Sequence, residues 1–271
     1  MMRSLWTAAT GMKTQQTSLD NLSHNLANIN TTGYKKERIE FESLLYQTIQ
    51  QRTTDHEGKP KPITAQVGLG VRVAAISTEF TQGRFLDSTG AFDFAIEGEG
   101  FFMVQMPDGS TAYTRNGNFL VAVDSSGLTL TTANGYAVLD SNGQPITFPA
   151  DTDTTRLTFD EWGNIFYRDN DGVVGPMGIR IGATQFNNPS GLRKIGDSYF
   201  AVTPASGEPR VEGQDASLKV SKIKNGYLEG SSVEAVDEMV DMIVTQRAYE
   251  MNSKAIQASG EMLQLANNLR S

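Results

Sequence analysis

The sequence predicts an α+β protein, with N- and C-terminal helices packed as a coiled-coil-like pair and a central antiparallel all-β domain. Two observations carry that reading. Apolar residues recur at three- and four-residue steps at both ends, and the long middle breaks into short strand-forming runs separated by tight-turn dipeptides. A parallel α/β domain needs helices between its strands, and the middle has no such pattern.

In the first segment Leu5, Met12, Leu19 and Leu26 recur every seven residues, and Ala8, Gln15, Leu22 and Ile29 repeat three positions later. All but Gln15 are apolar, the pattern of a coiled-coil seam, and Gln15 is suited to fixing register or to facing a polar neighbour. Asn30-Thr31-Thr32-Gly33 then supplies a stop, with Gly33 fit for a left-handed position after the helix. At the other end Val236, Val240, Val244, Ala248, Met251, Ala255, Ala258, Met262, Leu265 and Leu269 follow one another, and Ile243, Ile256 and Leu263 widen the stripe. Ser231-Ser232-Val233-Glu234 has capping-box spacing, with Asp237, Glu238 and Asp241 in the early turns. The helix is expected to continue through Gly260.

Between the ends, Asp108-Gly109, Asn116-Gly117, Asn134-Gly135, Asn142-Gly143, Asp171-Gly172 and Asn225-Gly226 read as hairpin turns. Phe101–Val104, Leu128–Thr131 and Ser198–Val202 are the strand-forming runs among them. Residues 50–66 form a polar connector, with Gly58, Pro60 and Pro62 opposing regular structure. Phe41–Ile49 is read as a short helix of ambiguous period. The expected domains are a discontinuous helical one (1–45 and 226–271), a connector with short strands (46–92 and 206–225) and a β-rich one (93–205).

Composition narrows the chemistry. The net charge of −8 opposes general nucleic-acid binding, which needs clustered cations. Basic side chains outnumber acidic ones in residues 1–62 and the reverse holds in 226–271, so the two ends attract mildly. Without cysteine there is no thiolate nucleophile, disulfide or Cys-based metal site. Only His24 and His56 could serve as imidazole ligands, at a spacing that favours no metal centre. Gly98-Glu99-Gly100 lacks the third glycine and the helix of a dinucleotide site and reads as a turn entering a strand. Asp169-Asn170-Asp171-Gly172 fails as a calcium loop, because Tyr167 and Gly178 would stand where carboxylates belong. No nucleophile-elbow context occurs. No catalytic, cofactor or metal site is expected, nor a membrane-spanning stretch of about 20 apolar residues. The first residues lack the apolar core of a secretory signal. Two long helices flanking a β region have little to bury against, which makes self-association the economical way to cover their seams.

Three separated motifs then resemble one known family. Leu26-Ala27-Asn28-Ile29-Asn30-Thr31-Thr32-Gly33-Tyr34-Lys35 is similar to the N-terminal motif of bacterial flagellar axial proteins, the rod and hook family. The family commonly has two asparagines before Leu-Ala-Asn; here His24 replaces the first and Asn25 keeps the second. Gly98–Phe102 followed by Tyr113–Phe119 resembles its β-domain motif. Gly226-Tyr227-Leu228-Glu229 and Gln246-Arg247-Ala248-Tyr249-Glu250-Met251-Asn252-Ser253-Lys254 resemble its C-terminal motif. Ser232 and Gly260 depart from the usual asparagine and aspartate. Arg3–Ala8, Leu44–Ile49 and the connector from Gln50 are most like the distal-rod branch.

The resemblance implies a structural homo-oligomer in a helical array that transmits torque. Its partners would be other rod proteins and hook protein at the ends, surrounding ring (bushing) proteins and the flagellar type III export apparatus. Its place would be the basal body, in the periplasm and across the outer layers, without membrane insertion, nucleic acid or cofactor. The expected assembly interface is Leu5, Met12, Leu19, Leu22, Leu26, Ile29, Val236, Val240, Ile243, Val244, Met251, Met262 and Leu265. One alternative is a hook or proximal-rod member of the family. Another is a secreted β-rich enzyme or carbohydrate-binding module with helical oligomerisation arms, which a convergent pair of carboxylates in a cleft would favour.

Overall fold

A computed structural model of the chain describes residues 2–50, 65–124, 127–169, 173–215 and 217–269. His56, most of the polar connector and the Asp171-Gly172 turn lie outside the described residues. The chain divides into two compact units, Met1–Ala27 with Glu37–Thr78 and Glu234–Ser271, and Asn28–Lys36 with Glu79–Val233.

The first unit holds the two long helices, α1 (Met2–Ala27) and α2 (Ala235–Asn268), and, among the described residues, four strands. Strand β1 (Glu37–Ser43) pairs antiparallel with β4 (Val71–Thr78), and β2 (Tyr46–Gln50) with β3 (Ala65–Gly68). The short helix expected over Phe41–Ile49 is therefore two strands. Its nine residues carry no decisive period, and the partners that settle the matter, Val73 opposite Phe41 and Gly68 opposite Tyr46, lie 32 and 22 residues further on. Helix α2 runs unbroken through Gly260, as expected.

The expected capping box does not form. Glu234 is the N-cap residue and makes no side-chain cap bond. The Ser231 hydroxyl instead accepts from the Val233 N–H at 3.2 Å, and the Ser232 hydroxyl from the Lys36 N–H at 2.9 Å. Helix α1 ends at Ala27, so Ile29 lies past the seam that the heptad assigned to it. Gly33 does adopt the left-handed conformation, φ +68°, at the end of the turns that follow.

The second unit is antiparallel sheet throughout its named strands. In chain order they are β5 (Phe85–Asp87), β6 (Phe94–Glu97), β7 (Phe101–Gln105), β8 (Thr111–Thr114), β9 (Phe119–Asp124), β10 (Gly127–Thr132), β11 (Ala137–Val138), β12 (Thr147–Phe148), β13 (Leu157–Phe159), β14 (Asn164–Arg168), β15 (Val174–Arg180), β16 (Ala183–Gln185), β17 (Arg193–Gly196), β18 (Tyr199–Ala201), β19 (Arg210–Val211), β20 (Lys222–Asn225) and β21 (Tyr227–Glu229). The main sheet follows β12-β10-β11-β7-β8-β18-β17, with β9, β16 and β19 attached. The three runs picked out in the sequence fall on β7, β10 and β18.

Asp108-Gly109 turns β7 into β8, and Asn134-Gly135 turns β10 into β11, each glycine at φ +82°. Two of the expected hairpins do not exist. Asn225-Gly226 joins β20 to β21, but these pair with β6 and β5 rather than with each other. At Gly117 the glycine is needed for space, since a Cβ would sit 1.8 Å from the Phe94 carbonyl oxygen. Phe94, Phe102, Leu130, Ile146 and Ile165 anchor the core of this unit, and Phe101 packs edge-on to Phe80 and Phe186 in a second cluster.

Candidate assembly interface

In the first unit, α1 and α2 meet along a row that the apolar heptads do not contain. Ser4 lies 3.3 Å from Ser259 between hydroxyls, Gly11 faces Asn252, and Asn25 donates to Glu238 at 3.2 Å. These pairs share one antiparallel register, which places Ser18 opposite Thr245. The seam therefore repeats every seven residues on both helices, but in small and polar side chains. At Gly11 a Cβ would come within 2.9 Å of the Asn252 amide, so the helices approach closely there. Asn25 closes one end of this seam. Its carboxamide donates to the Glu37 carbonyl at 2.9 Å and accepts from the Glu37 N–H at 3.0 Å, while Asn21 holds the Glu37 carboxylate at 3.1 Å. One side chain thereby ties α1 to the first residue of β1 and to α2, with no exposure of its own.

The expected interface residues divide sharply by helix. On α1, Leu22 is buried, and Leu5, Met12, Leu19 and Leu26 flank the seam half-buried. On α2, Val236, Val240, Ile243, Val244, Met251, Met262 and Leu265 are all exposed, by 50–68%. At 100° per residue Val236, Val240 and Ile243 lie about 160° from the row of Glu238, Thr245, Asn252 and Ser259, Val244, Met251 and Leu265 about 100–120° from it, and Met262 about 60° from Ser259 at the edge of the open side. Helix α2 thus has two working faces, a small and polar one against α1 and an apolar one turned outward. A helix apolar on the side its own chain leaves open is built for burial by something else.

The motif residues serve several ends. Gln246, Arg247, Tyr249 and Glu250 are exposed on α2, with Arg247 and Glu250 paired at 2.9 Å, while Ala248 and Asn252 are half-buried. Leu26 is half-buried and Ala27 exposed at the end of α1. In the second unit Asn28 accepts from the Thr31 hydroxyl at 3.1 Å, closing the turn that leads to Gly33, Tyr34 and Lys35, all buried. Lys35 reaches Glu229 at 2.6 Å and donates to the Thr81 carbonyl at 2.7 Å. Arg115 meets the other Glu229 oxygen at 3.3 Å, and the Gly83 N–H donates to the carboxylate at 2.9 Å. The backbone is stitched in parallel, Gly33 N–H to the Glu229 carbonyl at 2.8 Å and Ser232 N–H to that of Tyr34 at 3.1 Å. Burial pulls Lys35 below the ordinary lysine range; Glu229 opposes that shift and Arg115 adds to it.

Glu229, Arg115, Asn25 and Glu238 were not among the residues that the sequence nominated. Glu229, Arg115 and Asn25 stood inside or beside the motifs. The seven-residue row of small residues was the legible sign of the close seam. His24 is an exposed helix residue, 3.8 Å from the Glu37 carboxylate. No group of three or more His, Asp or Glu suited to a metal occurs among the described residues, and no described helix is long and apolar enough to cross a membrane.

A two-faced terminal helix joined to a β-sheet unit defines a structural assembly subunit. The chain belongs to the flagellar basal-body rod protein family. Sequence models of three parts of that family match: the flagella basal body rod protein over residues 5–35, the flagellar hook protein FlgE/F/G D1 domain over 95–167, and the flagellar basal body rod FlgEFG protein C-terminal region over 224–269. Similar relatives include the flagellar basal-body rod protein FlgG of Borreliella burgdorferi, 43% identical over 100% of this chain and 99% of that one. FlgG of Agrobacterium fabrum is 39% identical over 98% of each chain, and FlgG of Bacillus subtilis 37% identical over the full length of both.

Proposed function

We propose that this chain is a subunit of the flagellar distal rod and self-assembles into a straight helical tube that carries motor torque to the hook. The observation that carries this reading is the outward apolar face of α2, on a helix whose other face is already occupied by α1. Burying a Val, Ile, Leu or Met side chain fully contributes about 1.5–3 kcal/mol, so a stripe of them supplies a strong drive to associate. The full-length likeness to FlgG proteins supports the distal-rod branch over hook or proximal-rod members. Its role is mechanical, with no catalytic step. Its partners are copies of itself, neighbouring axial proteins at the two ends, the ring that surrounds the rod and the export apparatus that delivers it. Of the assembly-interface residues named above, the exposed ones on α2, Val236, Val240, Ile243, Val244, Met251, Met262 and Leu265, are the contacts between copies. Electron microscopy of the polymerised protein tests the reading. A straight tube with α1 and α2 innermost is expected; no polymer, or a polymer with the helices outermost, overturns it.

A further inference from the structure

Resting on the assembly reading, we infer that the outward stripe of one copy docks into a particular hollow on the first unit of the next. That hollow has a volume of about 380 Å³ and lies between α1 and the β1–β4 sheet, walled by Thr10, Thr14, Thr17, Leu44, Val71 and Val73. Its walls are mostly methyl-bearing. Lys13 and Arg72 also line it; Arg72 is held by Glu42 at 2.8 Å, whereas Lys13 makes no ion pair among the described residues. The stripe has the matching features. Met262 and Leu265 stand out from α2 by 50% and 64%, and the exposed Glu261 beside them makes no ion pair among the described residues.

Lys13 and Glu261 cannot satisfy each other within one chain. The seam register sets residue 13 level with residue 250, which leaves Glu261 about 16 Å further along the axis at 1.5 Å per residue. Lys13 at the edge of the hollow, its neighbour Arg72 being held by Glu42, and Glu261 one turn before Leu265 on α2 are complementary in charge, as the hollow and the projecting Leu265 are in shape. The geometry also fits the product. A stripe that meets a hollow rather than another stripe makes a head-to-tail contact, which propagates instead of closing into a dimer.

The test uses the full chain carrying Lys13→Glu, Glu261→Lys or both, with polymer followed by sedimentation and electron microscopy. Each single reversal is expected to raise the critical concentration about tenfold or more, and the double reversal to restore most of the loss. A second arm pairs Thr17→Cys with Met262→Cys in a chain that has no cysteine of its own. Oxidation of the polymer should then give a ladder of linked multimers. Single reversals without effect, a link within one chain, or linkage through Met262→Cys alone each overturn the docking assignment. If the unaltered chain does not polymerise, it is the rod reading that falls.

Discussion

Lys35 and Glu229 form an ion pair at 2.6 Å in which neither side chain is exposed to solvent at all. Arg115, 3% exposed, shares the same carboxylate, so one buried anion holds two buried cations. The pair joins the segment entering the β unit to the segment leaving it. The arrangement is unequal, and that inequality gives a prediction. Glu229→Gln leaves two cations buried without their anion and should cost about 3–5 kcal/mol. Lys35→Met leaves Arg115 to neutralise Glu229 and replaces the lysine stem with apolar bulk, so it should cost clearly less. Urea unfolding of the two variants checks the order; equal losses would show that Arg115 does not neutralise Glu229 once Lys35 is gone.

The turn ahead of Lys35 is held by a second constraint. Gly33 adopts φ +68°, and a Cβ there would lie 2.5 Å from the Asn116 nitrogen and 2.7 Å from the Arg115 carbonyl carbon. Gly135 has φ +82° but open space around it. Gly135→Ala therefore carries only the left-handed penalty of about 1–2 kcal/mol. Gly33→Ala adds a backbone collision and should lose about 2–5 kcal/mol. Thermal melts of the two single variants separate conformational strain from crowding.

These two sites show which parts of the structure were readable in the sequence. Both long helices, the antiparallel middle and the strands at β7, β10 and β18 were legible because periodicity and turn residues act locally. Gly33 was legible for the same reason. The Lys35–Glu229–Arg115 cluster was not, since its members are separated by up to 194 positions and any lysine or glutamate in a polar stretch reads first as surface. The Phe41–Ile49 segment misled because its strand partners are remote. At Asn225-Gly226 the dipeptide marked a turn correctly, yet the two strands it joins choose different neighbours. On α2 the apolar period was correct, but it marked the face turned away from α1. The seam itself was written in serine, threonine, asparagine and glutamate, which a search for hydrophobic heptads passes over.

Acid gives a third test. The Asp215 carboxylate accepts from the Arg210 guanidinium, from the Ser217 N–H at 3.0 Å and from the Ser217 hydroxyl at 2.7 Å. Those hydrogen bonds lower its pKa from 3.8 to about 2, the Arg210 bond having the largest share. A carboxylate lowered on folding contributes stability that is fully present above its unfolded value and is lost as pH falls through the folded one. This contribution should therefore persist at pH 5 and decay between pH 4 and pH 2. Carboxyl NMR should place the Asp215 midpoint near 2, and Arg210→Gln should move it back toward the ordinary value. A midpoint at the ordinary value in the unaltered chain would show that the bonds do not persist in solution.

The outward face of α2 allows folding and assembly to be separated. Ile243 is 58% exposed and lies away from the polar row that meets α1. An aspartate there remains hydrated in the single chain, so Ile243→Asp should change subunit stability by no more than about 0.5 kcal/mol. In a polymer that buries the stripe, the same aspartate is an unpaired charge in an apolar contact and opposes association strongly. Thr245→Leu works the other way. Thr245 is 8% exposed in the close seam, where added bulk should strain the helix pair by about 1–3 kcal/mol before any partner is met. Melting curves of dilute subunit and sedimentation at polymerising concentration give both quantities for each variant. Ile243→Asp should lose polymer while keeping its melt, and Thr245→Leu should show its loss in the melt. If Ile243→Asp polymerises normally, the outward face of α2 is not where copies meet.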